Sequence, residues 1–251
     1  MFPWAKLRRA KGGVKAHVLL DHDDYLPRYV LITEARRSDV KMADAFPLNP
    51  GSIVVMDRGY NDYELFRNWT AQEIYFVTRL KDNAAYAVER ECAVPANRNI
   101  RSDQLIRFTG EKAQKDCPCL LRRVAVWDAV NEREIVLLTN LLEFGSTTIA
   151  AIYKDRWEIE LFFKALKQNL KVKSFVGTSE NALRIQIWTA LIAILLLKWL
   201  HHLSKAKWSL SNLASMLRLN LFTYRDLTAW LDNPFGTPPL LPDAQLSLGL
   251  A

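Results

Sequence analysis

Ile53-Val54-Val55-Met56 is an unbroken apolar run that ends on Asp57 and a turn at Arg58-Gly59. A strand with no polar alternate must be covered on both faces, and the usual cover is helical. That run reads as a short buried strand, and its place after a hairpin and a helix, with helices to follow, argues for an α/β domain with a mixed sheet. The rest of the chain supplies the parts. Val14–Leu20 and Arg28–Glu34 read as a hairpin, with Asp23 and Asp24 as the turn. Ser38 reads as the N-cap of a short helix that closes by Pro47. A helix from about Asp62 follows the Gly59 turn, and "EIYFVTRLK" is a further strand.

From Asn83 to about Gly145 helical periodicity disappears. Strand-like runs at Leu105–Phe108, Leu121–Trp127 and Ile135–Leu138 describe a β-rich insertion. Long helical patterns come next: one through Tyr153 to Leu170, one after Ser179, and a smaller one over "SLSNLASMLRL". A Pro-rich tail begins at Pro234 and is expected to be poorly ordered. The resulting organisation is a core segment over 1–82, the insertion over 83–145, core helices over 146–233 and the tail over 234–251.

The net charge of +7 and a sequence pI near 9.3 point to a polyanionic partner, nucleic acid first. The most apolar segment, Ile187 to Leu197, is eleven residues long. That is too short to span a bilayer, and it reads as a helix buried inside the fold. No apolar stretch follows the basic start, so no signal peptide and no membrane partner are expected. Cys92, Cys117 and Cys119 lack zinc-site spacing and read as reduced thiols of a cytoplasmic protein.

Taken as one helix, Tyr153, Arg156, Glu160 and Lys167 fall in a stripe about 60° wide. Ile159, Phe162, Phe163, Leu166 and Leu170 form a separate apolar face. Two readings of the polar stripe stand side by side. Arg156 with Glu160, and Glu160 with Lys164, are i,i+4 pairs of the kind that decorate solvated helices. Alternatively, Glu160 on a covering helix converges with Asp57 at a strand end, which itself also reads as an ordinary turn aspartate. Two such carboxylates suit a hard divalent ion and phosphoryl transfer.

Those residues carry a resemblance. Tyr153, Arg156, Glu160 and Lys167 match the spacing of the Tyr-Arg-Glu-Lys signature in bacterial insertion-sequence transposases of the Asp-Asp-Glu (DDE) class, the IS-four-like branch. "IAAIYKDRWEIELFFKALKQNLKVKSFVGTSENALRIQIW" is similar to that family's C-terminal block, "VVMDRGYNDYELF" to the block with its second aspartate, and "FPWAKLRRAKGGVKAHVLLD" to the segment after its first catalytic strand. The resemblance implies a ribonuclease H-like mixed sheet with covering helices and a β-rich insertion. It further implies Mg2+ (or Mn2+) held by Asp57 and Glu160 as catalytic ligands, with Tyr153, Arg156 and Lys167 on DNA. The implied partners are double-stranded DNA, at transposon ends and target, and other copies of the chain, since family members act as multimers. The implied activity is DNA strand cleavage and strand transfer.

One departure shapes the expectation. The family's first catalytic aspartate precedes the "FPWAK"-like segment, so the first strand and its carboxylate are expected to be missing here, leaving catalysis incomplete. Asp21, Asp23 and Asp24 match the end of the next strand and its turn instead. A non-catalytic DNA-binding remnant is the main alternative. Another is a metal-dependent nuclease that adds the His17/Asp21 neighbourhood, although both also read as ordinary strand-face residues.

Overall fold

The computed structural model describes residues 14–34, 37–96, 98–169, 177 and 179–239. Two compact units are present, with the boundary between Glu160 and Leu161. The basic start before Val14, the lysines at 171 and 173, and the tail beyond residue 239 lie outside the described residues.

In the first unit, β1 (Val14–Leu20) and β2 (Pro27–Glu34) form the expected antiparallel hairpin as a separate two-stranded sheet. A short α1 (Asp39–Ala43) follows Ser38, whose side chain makes no capping bond. β3 (Ile53–Val55) pairs in parallel with β4 (Tyr75–Arg79). Between them, α2 (Tyr63–Ala71) is capped by Asp62, whose carboxylate accepts from the Leu65 N–H. β5 (Tyr86–Glu91), β6 (Ile100–Phe108), β7 (Leu121–Asp128) and β8 (Arg133–Thr139) then extend the same mixed sheet, in the order β3-β4-β8-β7-β6-β5. A short α3 (Glu111–Asp116) interrupts the strands.

That order revises the reading of the apolar run. β3 is an edge strand, not an interior one: Ile53 is 38% exposed, Val54 and Val55 are half-buried, and only Met56 is buried. The sheet separates two apolar layers. On one side Phe66 and Trp69 of α2 pack with Phe76, Ile106, Phe108 and Leu121, and the Phe66 and Phe76 rings stack at 4.4 Å. On the other, Ile149 and Tyr153 of α4 (Ser146–Lys154) pack on Val77, Val124, Val126 and Leu137.

A second revision concerns the signature segment. It is not one helix: α4 ends at Lys154 and α5 (Trp157–Asn169) begins after a tight turn. In that turn the Arg156 N–H donates to Tyr153 O at 3.2 Å and the Ile159 N–H to Arg156 O at 3.3 Å, the i−3 bonding of a 3₁₀ turn. Tightening the turn rotates Tyr153 out of the polar stripe and into the core.

In the second unit, α6 (Glu180–Leu203) is capped by Ser179, which accepts from the Ala182 N–H. α7 (Leu210–Leu219) and α8 (Leu227–Asp232) bury Leu213, Trp230 and Leu231 against Trp208 and Leu200. α6 also differs from its sequence reading. The long helix read after Ser179 is present, but its 24 residues extend well beyond the eleven-residue apolar segment, and by length and composition it is long and apolar enough to cross a membrane. It is also not buried all round, because only the stripe through Leu183, Ile187, Ala190, Leu191 and Ile194 is covered.

Within the first unit, Asp103 and Arg122 form a buried fork-to-fork pair at 2.8 and 2.7 Å. The third arm of the same guanidinium donates to the carbonyls of Leu142 and Phe144, fixing the approach to α4. Asp103→Ala strands the guanidinium in the core. We expect a loss of about 3–5 kcal/mol in unfolding free energy, measured by urea titration, and a smaller loss when both residues are replaced by apolar ones.

His22 in the β1–β2 turn bonds Asp155 at the end of α4, 3.0 Å away. That hydrogen bond, with the charges of Asp155 and Asp23 and against desolvation, raises the His22 pKa above its usual value. A raised folded-state pKa means the tether contributes below about pH 6.5 and is lost as the pH climbs through the folded-state value. Stability measured from pH 5 to 8 should therefore carry a component that declines with rising pH and vanishes in His22→Ala.

Candidate active site

β3 delivers Asp57 to the end of the sheet, where its carboxylate accepts from the Gly59 N–H at 3.0 Å and caps a 3₁₀ turn over Arg58–Tyr60. This local bond uses one oxygen. The side chain stays 62% exposed, leaving the other oxygen directed at a partner. That partner is Arg156, whose Nη1 lies 3.7 Å from Asp57 Oδ2. Nη2 of the same guanidinium bonds Glu160 Oε1 at 2.9 Å. Both sequence-predicted carboxylates therefore lie against one cation.

Arg156 is itself held in place. Its guanidinium stacks 5.8 Å from the Tyr153 ring centroid, and its Nε is buried without a hydrogen-bond partner. Burial works against its charge, but the Glu160 hydrogen bond and the fields of Tyr153, Glu160 and Asp57 outweigh it and hold its pKa above the usual value. Burial also pushes the Tyr153 phenol up, against the opposing pull of Arg156 and Arg79. Tyr153 is only 9% exposed, so within this fold it acts as the platform of Arg156. Lys167 is exposed on α5, in the second unit.

Sequence reasoning missed the layer behind Asp57. His17 of β1 is 3% exposed, with Nε2 at 2.9 Å from Thr33 Oγ1 and Nδ1 at 3.4 Å from the Tyr60 hydroxyl. Asp39 lies 3.7 Å from His17 and 3.0 Å from Lys15. A β-carbon on Gly59 would sit 3.8 Å from Asp57 Oδ1 and 4.0 Å from Asp39 Oδ2, so the two carboxylates flank that glycine. Burial pushes the Tyr60 phenol to about 12, with Asp39 and Asp57 adding to the effect. The only sequence sign of this layer was His17 on a strand face. Its proposed companion Asp21 is engaged elsewhere, by the Asp23 N–H and by Arg28, each at 2.9 Å.

Among the described residues no group of three or more His, Cys, Asp or Glu side chains is arranged to hold a metal ion. Asp57 and Glu160 are carboxylates, the oxygen donor type that a hard divalent cation takes. They are half-exposed carboxylates already drawn to one positive group.

Residues 4–196 match the family model described as a transposase DDE domain. The chain belongs to the DDE-type insertion-sequence transposases. It is similar to a putative transposase, y4zB, of Sinorhizobium fredii, with 32% identity over 95% of this chain and 67% of that protein. It is also similar to a probable transposase for insertion sequence element IS5377 of Geobacillus stearothermophilus, with 34% identity over 83% of this chain and 55% of that protein. A putative transposase for element IS4SA of Synechocystis matches 59% of this chain at 33% identity, over 41% of its own length. This transposase chain thus spans about two thirds to two fifths of the length of these relatives. Family membership implies use of a divalent metal.

Burial depresses the His17 pKa, outweighing the pull of Asp39. The neutral ring therefore stabilises the transposase above about pH 6.5, and that contribution is lost as pH falls through the lowered folded-state value. We expect His17→Ala to cost ~2 kcal/mol at pH 7.5 and to remove this acid-side dependence, measured by denaturant titration across pH.

Proposed function

We propose that the site serves DNA strand cleavage and strand transfer at the ends of an insertion sequence, with Asp57 and Glu160 as the carboxylates that hold Mg2+ or Mn2+. The observation that carries the reading is Arg156 in contact with both carboxylates at the end of β3. When bound, the metal would polarise a phosphoryl oxygen and favour attack by water or a 3′-hydroxyl. The chain's own groups prepare for this. The Gly59 N–H and the Tyr60 turn orient Asp57. Arg156 neutralises the carboxylate pair and has the planar donor fork that suits phosphate. Tyr153 keeps the guanidinium from swinging away. On this reading Arg156 and Lys167 bind double-stranded DNA near the cleaved end, and the protein works in the cytoplasm, alongside the nucleoid.

We also propose that this chain alone does not cleave DNA at a meaningful rate. The resemblance calls for three carboxylates, and two meet at Arg156. Another carboxylate flanking Gly59, Asp39, is engaged by Lys15. A loss of positioning of ~1 Å already costs about a hundredfold in rate. The same observation supports the second reading, a DNA-binding remnant without catalysis.

Nicking of end-containing plasmid with Mn2+ separates these readings. The chain should bind but leave the plasmid intact. A version extended upstream should nick it and lose that activity in Asp57→Ala and Glu160→Ala. Binding without nicking in both versions favours the remnant. Equal nicking by both would place the third ligand inside this chain, with Asp39 the first residue to replace. In DNA binding, Lys167→Ala should weaken affinity at every sequence and reduce the slope of log K against log salt by about one. A salt-independent affinity would overturn the DNA reading.

A further inference from the structure

The ladder between β3 and β4 runs out just before Asp57. Val55 pairs with Val77, and the Met56 N–H donates to Val77 O at 3.1 Å. Along a strand, successive residues turn their N–H and C=O groups to opposite sides. The Leu80 N–H donates to Val136 O of β8, so Arg79 O faces the other way, past the end of β3. The Asn61 side chain fills that place. Its Nδ2 donates to Arg79 O at 2.6 Å, and its Oδ1 accepts from Thr78 Oγ1 at 2.9 Å. A carbonyl oxygen only accepts, so the orientation of this carboxamide follows from its partner. In effect it is a side-chain peptide group that continues the ladder by one bond. Asn61 is 8% exposed and Thr78 is fully buried, so water competes little for either bond. The main chain of Asn61 is held as well. Its N–H donates to Arg58 O at 3.2 Å, and Lys81 Nζ donates to its carbonyl at 2.9 Å.

We propose that Asn61 is a positioning residue of the site: with Thr78 it locks the turn that carries Asp57 onto the end of β4, and so holds the Asp57 carboxylate toward Arg156 and Glu160. This rests on the reading of Asp57 as a metal-holding carboxylate. Residues 57–60 lie between two anchors, Met56 on Val77 O and Asn61 on Arg79 O, two residues apart on one strand. A segment this short, tied at both ends, leaves Asp57 little freedom to swing. Among the described residues no hydrogen bond joins Asn61 to Asp57, Arg156 or Glu160, so it acts through the turn. The other hold on the turn, from His17 to the Tyr60 hydroxyl, is longer at 3.4 Å and comes from the hairpin side. The Asn61 clamp is therefore the tighter of the two.

The test is Mn2+ titration of the full chain, read by water-proton relaxation, with folding of each variant checked by circular dichroism and urea titration. The wild type should bind Mn2+, and Asp57→Ala should lose that binding. Thr78→Val keeps the shape of the side chain but removes the hydroxyl that Asn61 Oδ1 accepts from. It and Asn61→Ala should each weaken Mn2+ binding by the folded chain about tenfold, the effect typical of groups that orient a ligand without touching the metal. Thr78→Ser restores the hydroxyl and should return the affinity to within about twofold of the wild type. If Asn61→Ala does not fold, the Thr78 pair decides the matter alone. A merely structural Asn61 would lower the urea midpoint and leave the Mn2+ affinity of the folded chain unchanged. That result, with Asp57→Ala deficient, overturns the positioning role and leaves the reading of Asp57 standing. Equal binding by the wild type and Asp57→Ala, or binding by neither, overturns the reading of Asp57 and the positioning role with it.

Discussion

β8 pairs with β4 on one side and β7 on the other, and the first unit depends on that double pairing. Without it, β3 and β4 would be a two-stranded ribbon detached from the three strands beyond. The join is sealed by polar groups inside the core. Thr139 Oγ1 donates to Phe76 O, the Asn140 side chain accepts from the Phe76 N–H, and its amide donates to Ile74 O and Thr70 Oγ1. Buried donors and acceptors are costly when unpaired, so a network satisfied this fully specifies one register and penalises slippage. Register matters here because β4 positions β3, and β3 positions Asp57.

The second tie runs through charge. Two carboxylates converging at a strand end would repel each other, and Arg156 is the group that makes their approach tolerable. Its 20% exposure and its stacking on Tyr153 limit screening by water, so the guanidinium is a fixed part of the site and not a mobile surface arginine. Behind it, the hairpin contributes two histidines of opposite character. His22 is exposed and gains from an acidic partner, whereas His17 is buried and kept neutral. The same two-stranded element thus seats the Asp57 turn from below and fastens to the end of α4 from the side.

Much of this was legible in residue order. The hairpin, the Asp62 and Ser179 caps, and the strand leading to Asp57 follow from alternation and capping chemistry that act over a few residues. The spacing of Tyr153, Arg156, Glu160 and Lys167 carried the family resemblance. What escaped was non-local. Asp39 and Tyr60 look like a helix start and a turn residue until the hairpin lays His17 between them. Asp103 and Arg122 look like surface charges of two strands until pairing and burial turn them into an internal clamp. The single polar stripe assumed a continuous helix, and the 3₁₀ bonding between α4 and α5 sets the Tyr153 ring in the core instead.

The sequence by itself determined the α/β class, the first hairpin, the strand leading to Asp57 and the long helix after Ser179. Those depend on local periodicity and side-chain chemistry, which an isolated segment already possesses. Only the tertiary structure decided that the apolar run of β3 lies at an edge, that α6 is not buried all round, and that Asp57 and Glu160 share Arg156. An apolar run demands burial without naming what will bury it. A charge declares its sign without naming its partner. Both are settled only when strands and helices far apart in the chain compete for the same space.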